Sequence, residues 1–153
     1  MHSEIELFLK GIKPTLLLTY KGYEANKQIL KNFKRKEYEE SGYLIYNVEE
    51  DIEGKNLGEI LGYHPESAKT FEEKRNEPKA DIIISKFINY GGIQFNCFDY
   101  YKEAMEWCKE TYKEKLLNEY GSFKVYYYEV EFTKNYVGGY DRKALKLKKT
   151  EVH

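Results

Sequence analysis

The stretch that decides the fold is residues 81–99, DIIISKFINYGGIQFNCFD. Two strand-like runs flank Gly91-Gly92. The first, Ile82-Ile83-Ile84 followed by Phe87 and Ile88, is β-branched and aromatic. The second, Ile93-Gln94-Phe95-Asn96-Cys97-Phe98, alternates apolar and polar residues over three periods. A period of two puts one face of a strand against a core. Successive glycines accept positive φ at both central positions of a tight hairpin, which other residues resist. The spacing therefore predicts a hairpin over 82–98 at the centre of a sheet. Ile93 and Phe95 face inward; Gln94 and Asn96 face the other way.

Downstream, Asp99 reads as the cap of a helix over 100–120. Its stripe is Tyr101, Met105, Cys108, Tyr112, Leu116 and Tyr120, at helical spacing, and Gly121 stops it. FKVYYYEVEFTK, 123–134, reads as a strand. The remainder, 135–153, with Gly138-Gly139 and then RKALKLKKTEVH, reads as a partly ordered basic tail. Upstream, EIELFLK at 4–10 is an edge strand or one helical turn. TLLLTY at 15–20 is a strand bounded by Pro14 and Gly22. Residues 23–40 read as a helix on Ala25, Ile29, Leu30 and Phe33, with YLIYNV at 43–48 as the next strand. The acidic loop EEDIEG at 49–54 lacks the ligand spacing of a calcium loop. The expected architecture is α+β: one domain over 1–153, a mainly antiparallel sheet built on the hairpin, and helices at about 23–40, 57–75 and 100–120 packed on it.

Residues 56–75, NLGEILGYHPESAKTFEEKR, carry the most specific local signal. Asn56 caps with Glu59 three residues on, Gly62 ends the first helix, and Pro65 suits the first position of a second. The pattern Leu-Gly-x-x-Leu-Gly-x-x-Pro-Glu-Ser-Ala resembles the helix-turn-helix of bacterial regulators over these twenty residues. With helix 23–40, strand 43–48 and the hairpin, the order is that of a winged helix, which implies DNA binding. Against this, the second helix mixes Glu66, Glu72 and Glu73 with Lys69, Lys74 and Arg75. Phosphate contacts dominate DNA affinity, and such a surface gains little from them.

Bulk composition narrows the field. The 153 residues carry 25 basic and 26 acidic side chains, a net charge of −1, so no overall basic excess advertises nucleic acid. No apolar run is long enough to cross a bilayer. The first residues, MHSEIELFLKG, hold two glutamates and no basic n-region, which speaks against a secretory signal. Cys97 and Cys108 read as free thiols in a reducing cytoplasm. Tyrosine occurs 16 times, and its apolar ring with a polar tip suits binding surfaces.

The three histidines, His2, His64 and His153, are too few and too scattered to build a metal centre with two cysteines. No metal or cofactor is expected. Ser67 and Cys97 would need His64 as a base, and His64 reads better as a capping residue. The glycines at 54, 58 and 62 lack the strand–loop–helix setting of a phosphate loop. These features favour a non-enzymatic binding protein that neutralises or sequesters a partner, in the manner of an inhibitor, an immunity factor or a phage anti-defence protein. The partner is a protein or a small anionic, nucleotide-like ligand. The residues expected to bind are Tyr126, Tyr128, Lys124, Tyr63, His64 and Lys69. A DNA-binding regulator and a small enzyme acting on a nucleotide or another anionic metabolite are the alternatives.

Overall fold

The computed structural model describes residues 3–75, 82–134 and 140–153. The α+β class is as expected: helices accompany two antiparallel sheets. The described chain divides into two compact units, Ser3–Gly62 and Tyr63–His153.

The first unit runs α1 (Glu4–Leu9), β1 (Thr15–Thr19), α2 (Tyr20–Ala25), α3 (Lys27–Leu30), β2 (Lys34–Tyr38), β3 (Gly42–Tyr46), a 3-10 turn (Glu49–Ile52) and α4 (Leu57–Ile60). The ambiguous segment after Ser3 is helical because Ser3 Oγ accepts from the Glu6 N–H at 3.1 Å, which satisfies an otherwise orphaned donor. The strand order is β1-β3-β2. Phe8, Leu16, Tyr23, Leu30 and Ile45 form the core. Gly42 lies where a Cβ would strike the Leu18 carbonyl, so the β1–β3 approach requires glycine there.

The helix expected over 23–40 is corrected. Helical backbone ends at Leu30, and 34–38 is a strand. The cause lies in β3, which is buried at Leu44, Ile45 and Tyr46. A strand in that position needs hydrogen-bond partners on both edges. β1 satisfies one edge and the lysine-rich β2 the other, in the register Lys34↔Tyr46 to Tyr38↔Gly42. Tertiary pairing overrides the helical propensity of the lysines and glutamates.

The second unit runs α5 (Pro65–Arg75), β4 (Ile82–Tyr90), β5 (Ile93–Asn96), α6 (Tyr101–Cys108), a π-helical turn (Lys109–Lys113), α7 (Glu114–Tyr120), β6 (Lys124–Lys134) and β7 (Tyr140–Val152). The sheet order is β5-β4-β6-β7, all antiparallel. The hairpin stands as read: Tyr90 pairs with Ile93, and Gly91 and Gly92 take φ of 61° and 107°. A Cβ on Gly91 would also sit 2.9 Å from Leu116. Ile93 and Phe95 are buried and Gln94 and Asn96 are half-buried, the predicted alternation. Of the stretch read as a partly ordered basic tail, 135–153, residues 140–152 form β7 along β6; the Gly138-Gly139 pair lies outside the described residues.

Cross-strand partners share a face, so Ile88, Tyr90, Ile93, Phe95, Val125 and Tyr127 lie together. This face receives α6–α7, with Tyr101 against Tyr127 at 4.2 Å and Trp107 against Phe95 at 6.5 Å. The π turn has a sequence cause. From Cys108 the apolar stripe recurs every four residues, and each such step drifts about 40° on a regular helix. A wider turn brings Tyr112 and Leu116 back over the sheet, and both are buried.

The winged-helix order fails at its first element, because 23–40 is not a helix. Of the helices expected at 57–62 and 65–75, the first forms over 57–60 and the second over 65–75, on either side of Gly62. The first is a single turn and belongs to the first unit, whereas α5 belongs to the second. The hairpin is no protruding wing either, since β4 is paired on both edges, by β5 and β6.

Candidate functional site

The second unit contains a cleft of about 300 Å³ lined by Thr70, Lys74, Lys86, Phe98, Asp99, Tyr100 and Glu129. That volume is at the small end for ligand pockets. Three sequence-encoded pieces build it. Thr70 and Lys74, one turn apart, share a side of α5. Lys86 on β4 and Glu129 on β6 are direct cross-strand partners, on the face that carries Tyr127. Phe98, Asp99 and Tyr100 form the turn between β5 and α6.

That turn is strained. Beyond Asn96 the N–H groups of both Cys97 and Phe98 donate to the Lys86 carbonyl, at 2.9 and 3.1 Å. Two residues oppose one, as in a β-bulge, and bulges re-aim side chains. Phe98 is left at φ 48°, a region that bulky residues avoid at a cost of about 1–3 kcal/mol. The bulge turns the Phe98 ring under the Lys74 ammonium, 5.6 Å from its centroid, a cation–π geometry. Next in the chain, Asp99 does not cap the helix. Its Oδ1 accepts from Lys86 Nζ at 2.9 Å, and the N-cap position falls to Tyr100 without a side-chain bond. Hydrogen bonding between the two raises the Lys86 pKa and lowers that of Asp99. The Asp99 side chain is 91% exposed, so water screens the pair and the carboxylate is displaceable.

The six residues expected to bind do not gather at one place. Tyr126 and Tyr128 stack on each other at 6.1 Å and 22°, half-buried, on the face opposite Tyr127; Lys124, also on β6, is exposed. Tyr63 stacks on Phe95 at 5.5 Å, on the helix-covered face. His64 is buried, with its ring 6.0 Å from Trp107 and 6.3 Å from Tyr100. Lys69 is exposed on α5. His64 therefore adjoins the cleft through Tyr100, while the paired tyrosines of β6 do not face it.

His64 Nδ1 lies 2.7 Å from Ser67 Oγ, the distance of a nucleophile and its base. Yet Ser67 is 0% exposed, and a nucleophile must be reached by its substrate. The pair sits at the start of α5, where the His64 carbonyl accepts from the Ala68 N–H at 2.9 Å, so its local role is to close the helix start. Burial lowers the His64 pKa. Cys97 and Cys108 are buried free thiols; burial pushes Cys97 up to about 12 and raises Cys108 as well, so both stay protonated at neutral pH. Among the described residues, no group of three or more His, Cys, Asp or Glu is arranged to hold a metal ion, and no helix is long and apolar enough to cross a membrane.

The lining of the cleft escaped sequence reading. Lys74 and Lys86 are two of many lysines, and nothing local announces that Phe98 takes positive φ. The available signal was the break of alternation at Cys97-Phe98-Asp99, where the strand pattern meets two polar-capable tyrosines. Comparison with protein-family models, curated proteins and solved structures returns no match for this chain.

Proposed function

We propose that the protein is a non-enzymatic binding protein that sequesters a small anionic, nucleotide-like ligand in the cleft of its second unit. The observation that carries this is the convergence of Lys74 and Lys86 on one side of a strained aromatic turn. Asp99 holds Lys86 as a ligand oxygen would. A phosphate that displaces it gains Lys86 and the adjacent Lys74 together, and charge-assisted bonds of this kind are the stronger class. Tyr100 supplies a half-exposed ring beside the lysines. The four candidate nucleophiles and bases, His64, Ser67, Cys97 and Cys108, are all buried, which favours occupancy over turnover. The free thiols fit a reducing compartment such as the cytoplasm. Inhibitors, immunity factors and phage anti-defence proteins act by sequestration of this kind, and size and composition suit that class.

Calorimetric titration with a panel of nucleoside mono- and diphosphates tests the reading. At least one should bind with roughly micromolar affinity. Lys74→Ala and Lys86→Ala should each weaken it about tenfold, the loss of one charge-assisted contact. Chromatography of the ligand after incubation should recover it intact. The proposal fails if the whole panel is silent at millimolar concentration, and a consumed ligand would replace binding with catalysis.

A further inference from the structure

Net charge near zero hides an uneven distribution. Residues 27–36, KQILKNFKRK, hold Lys27, Lys31, Lys34, Arg35 and Lys36 and no acidic residue. All five cations are exposed. They span α3, the turn after it, and β2, an edge strand of the first unit. Lys27 has a long 4.0 Å contact with Glu24, whereas among the described residues Lys31, Lys34 and Lys36 make no ion pair.

Lysine on an edge strand commonly guards against strand-to-strand aggregation. Guarding the edge does not require Lys27 and Lys31, which are off the strand. Nor does it explain Arg35, whose guanidinium lies 4.8 Å from the ring centroids of both Tyr23 and Tyr43. Two rings hold that guanidinium while the residue stays exposed, and a guanidinium suits phosphate oxygens. Tyr20 packs edge-on to Tyr43 at 5.1 Å, and both are half-exposed. Ile29, between the lysines of α3, is 52% exposed.

Exposed cations, one of them held against aromatic rings, are ingredients of a single-strand nucleic-acid surface, in which charge follows the backbone and rings take bases. The helices of this unit have four to six residues, too short to lie along a major groove and read it. β2 is open instead, with Lys34, Arg35, Lys36 and Glu37 all exposed although a strand alternates its faces.

We infer that residues 27–36 form a second binding surface, which holds single-stranded nucleic acid through its phosphates without reading sequence. It uses none of the cleft residues, so it stands or falls independently of the cleft.

The test is fluorescence anisotropy of a labelled mixed-sequence 20-nucleotide single strand with the full chain, across a salt series. Five phosphate contacts give a slope of log K against log salt of about −3.5, or roughly a hundredfold weaker binding between 50 and 200 mM salt. The variant Lys31→Gln/Lys34→Gln/Lys36→Gln should reduce the slope to about −1.4, since two cations remain. Its three sites are exposed, and an unchanged circular dichroism spectrum verifies folding. The control Lys102→Gln/Lys115→Gln, on exposed positions of α6 and α7, should leave the slope intact. The inference is overturned if the strand does not bind at 50 mM salt, or if the triple variant keeps the full slope. It is equally overturned if polyglutamate of matched charge competes as well as unlabelled strand, because the surface would then take an acidic protein.

Discussion

Lys13 is the residue whose burial is hardest to reconcile with its chemistry. Its side chain is fully enclosed, with Nζ 3.7 Å from Glu4 Oε1 and 3.4 Å from the Thr15 carbonyl. Burial lowers its pKa, and Glu4 opposes the shift only in part. The sign of the linkage follows. Between the folded pKa and the ordinary lysine value near 10.5, the unfolded chain binds a proton that the folded chain resists, so stability rises with pH across that window. Below it the charge is carried inside the fold at a standing cost. Lys13→Met, which keeps the length and removes the buried charge, should therefore raise the unfolding free energy at pH 7 by about 1 kcal/mol, because the partly exposed Glu4 it leaves behind can turn to water. The gain should shrink as the pH approaches 10. Urea titrations followed by far-ultraviolet circular dichroism at pH 7 and pH 9.5 measure both. A loss of stability at pH 7 would mean that the Glu4 contact outweighs desolvation.

At the scale of elements, the β2–β3 hairpin carries an unusual turn. Glu39 and Glu40 both take positive φ, 48° and 55°. Such a turn is built for Asn-Gly, and each ill-suited residue costs about 1 kcal/mol. Glu39→Asn/Glu40→Gly should stabilise the first unit by about 1–2 kcal/mol, read as a higher midpoint in urea at unchanged slope. No gain would indicate that the carboxylates hold the turn by contacts of their own. The same hairpin marks where sequence reading loses its grip. The 82–98 hairpin was legible because alternation and Gly91-Gly92 agree, and the 100–120 helix because its stripe is long. Local pattern and tertiary demand coincide in both. At 34–38 they conflict: KRKEY has helical propensity and no alternation, and only β3's unpaired edge makes it a strand. β7 escaped for the same reason, since a lysine-rich run becomes a strand only because β6 lies beside it. The cleft was illegible because its residues come from three elements and its key feature, the φ of Phe98, is a backbone property that no side chain encodes.

At the scale of the molecule, the division into Ser3–Gly62 and Tyr63–His153 raises the question of whether the two units unfold together. Each unit has its own sheet and its own buried apolar side chains, Leu16, Leu30 and Ile45 in one and Ile88, Ile93 and Leu116 in the other. Trp107, the single tryptophan, reports on the second unit alone. Leu30 is fully buried in the core of the first unit. Leu30→Ala should destabilise that unit by about 2–5 kcal/mol, the cost of lost transfer energy plus a cavity. If the units unfold separately, the mutation shifts the part of the dichroism transition that belongs to the first unit and leaves the Trp107 fluorescence midpoint in place. Non-coincident probes are then expected even in the unmutated protein. A single transition, displaced equally in both signals by Leu30→Ala, would show that the two units share one cooperative core and unfold as the one domain that chain length suggests.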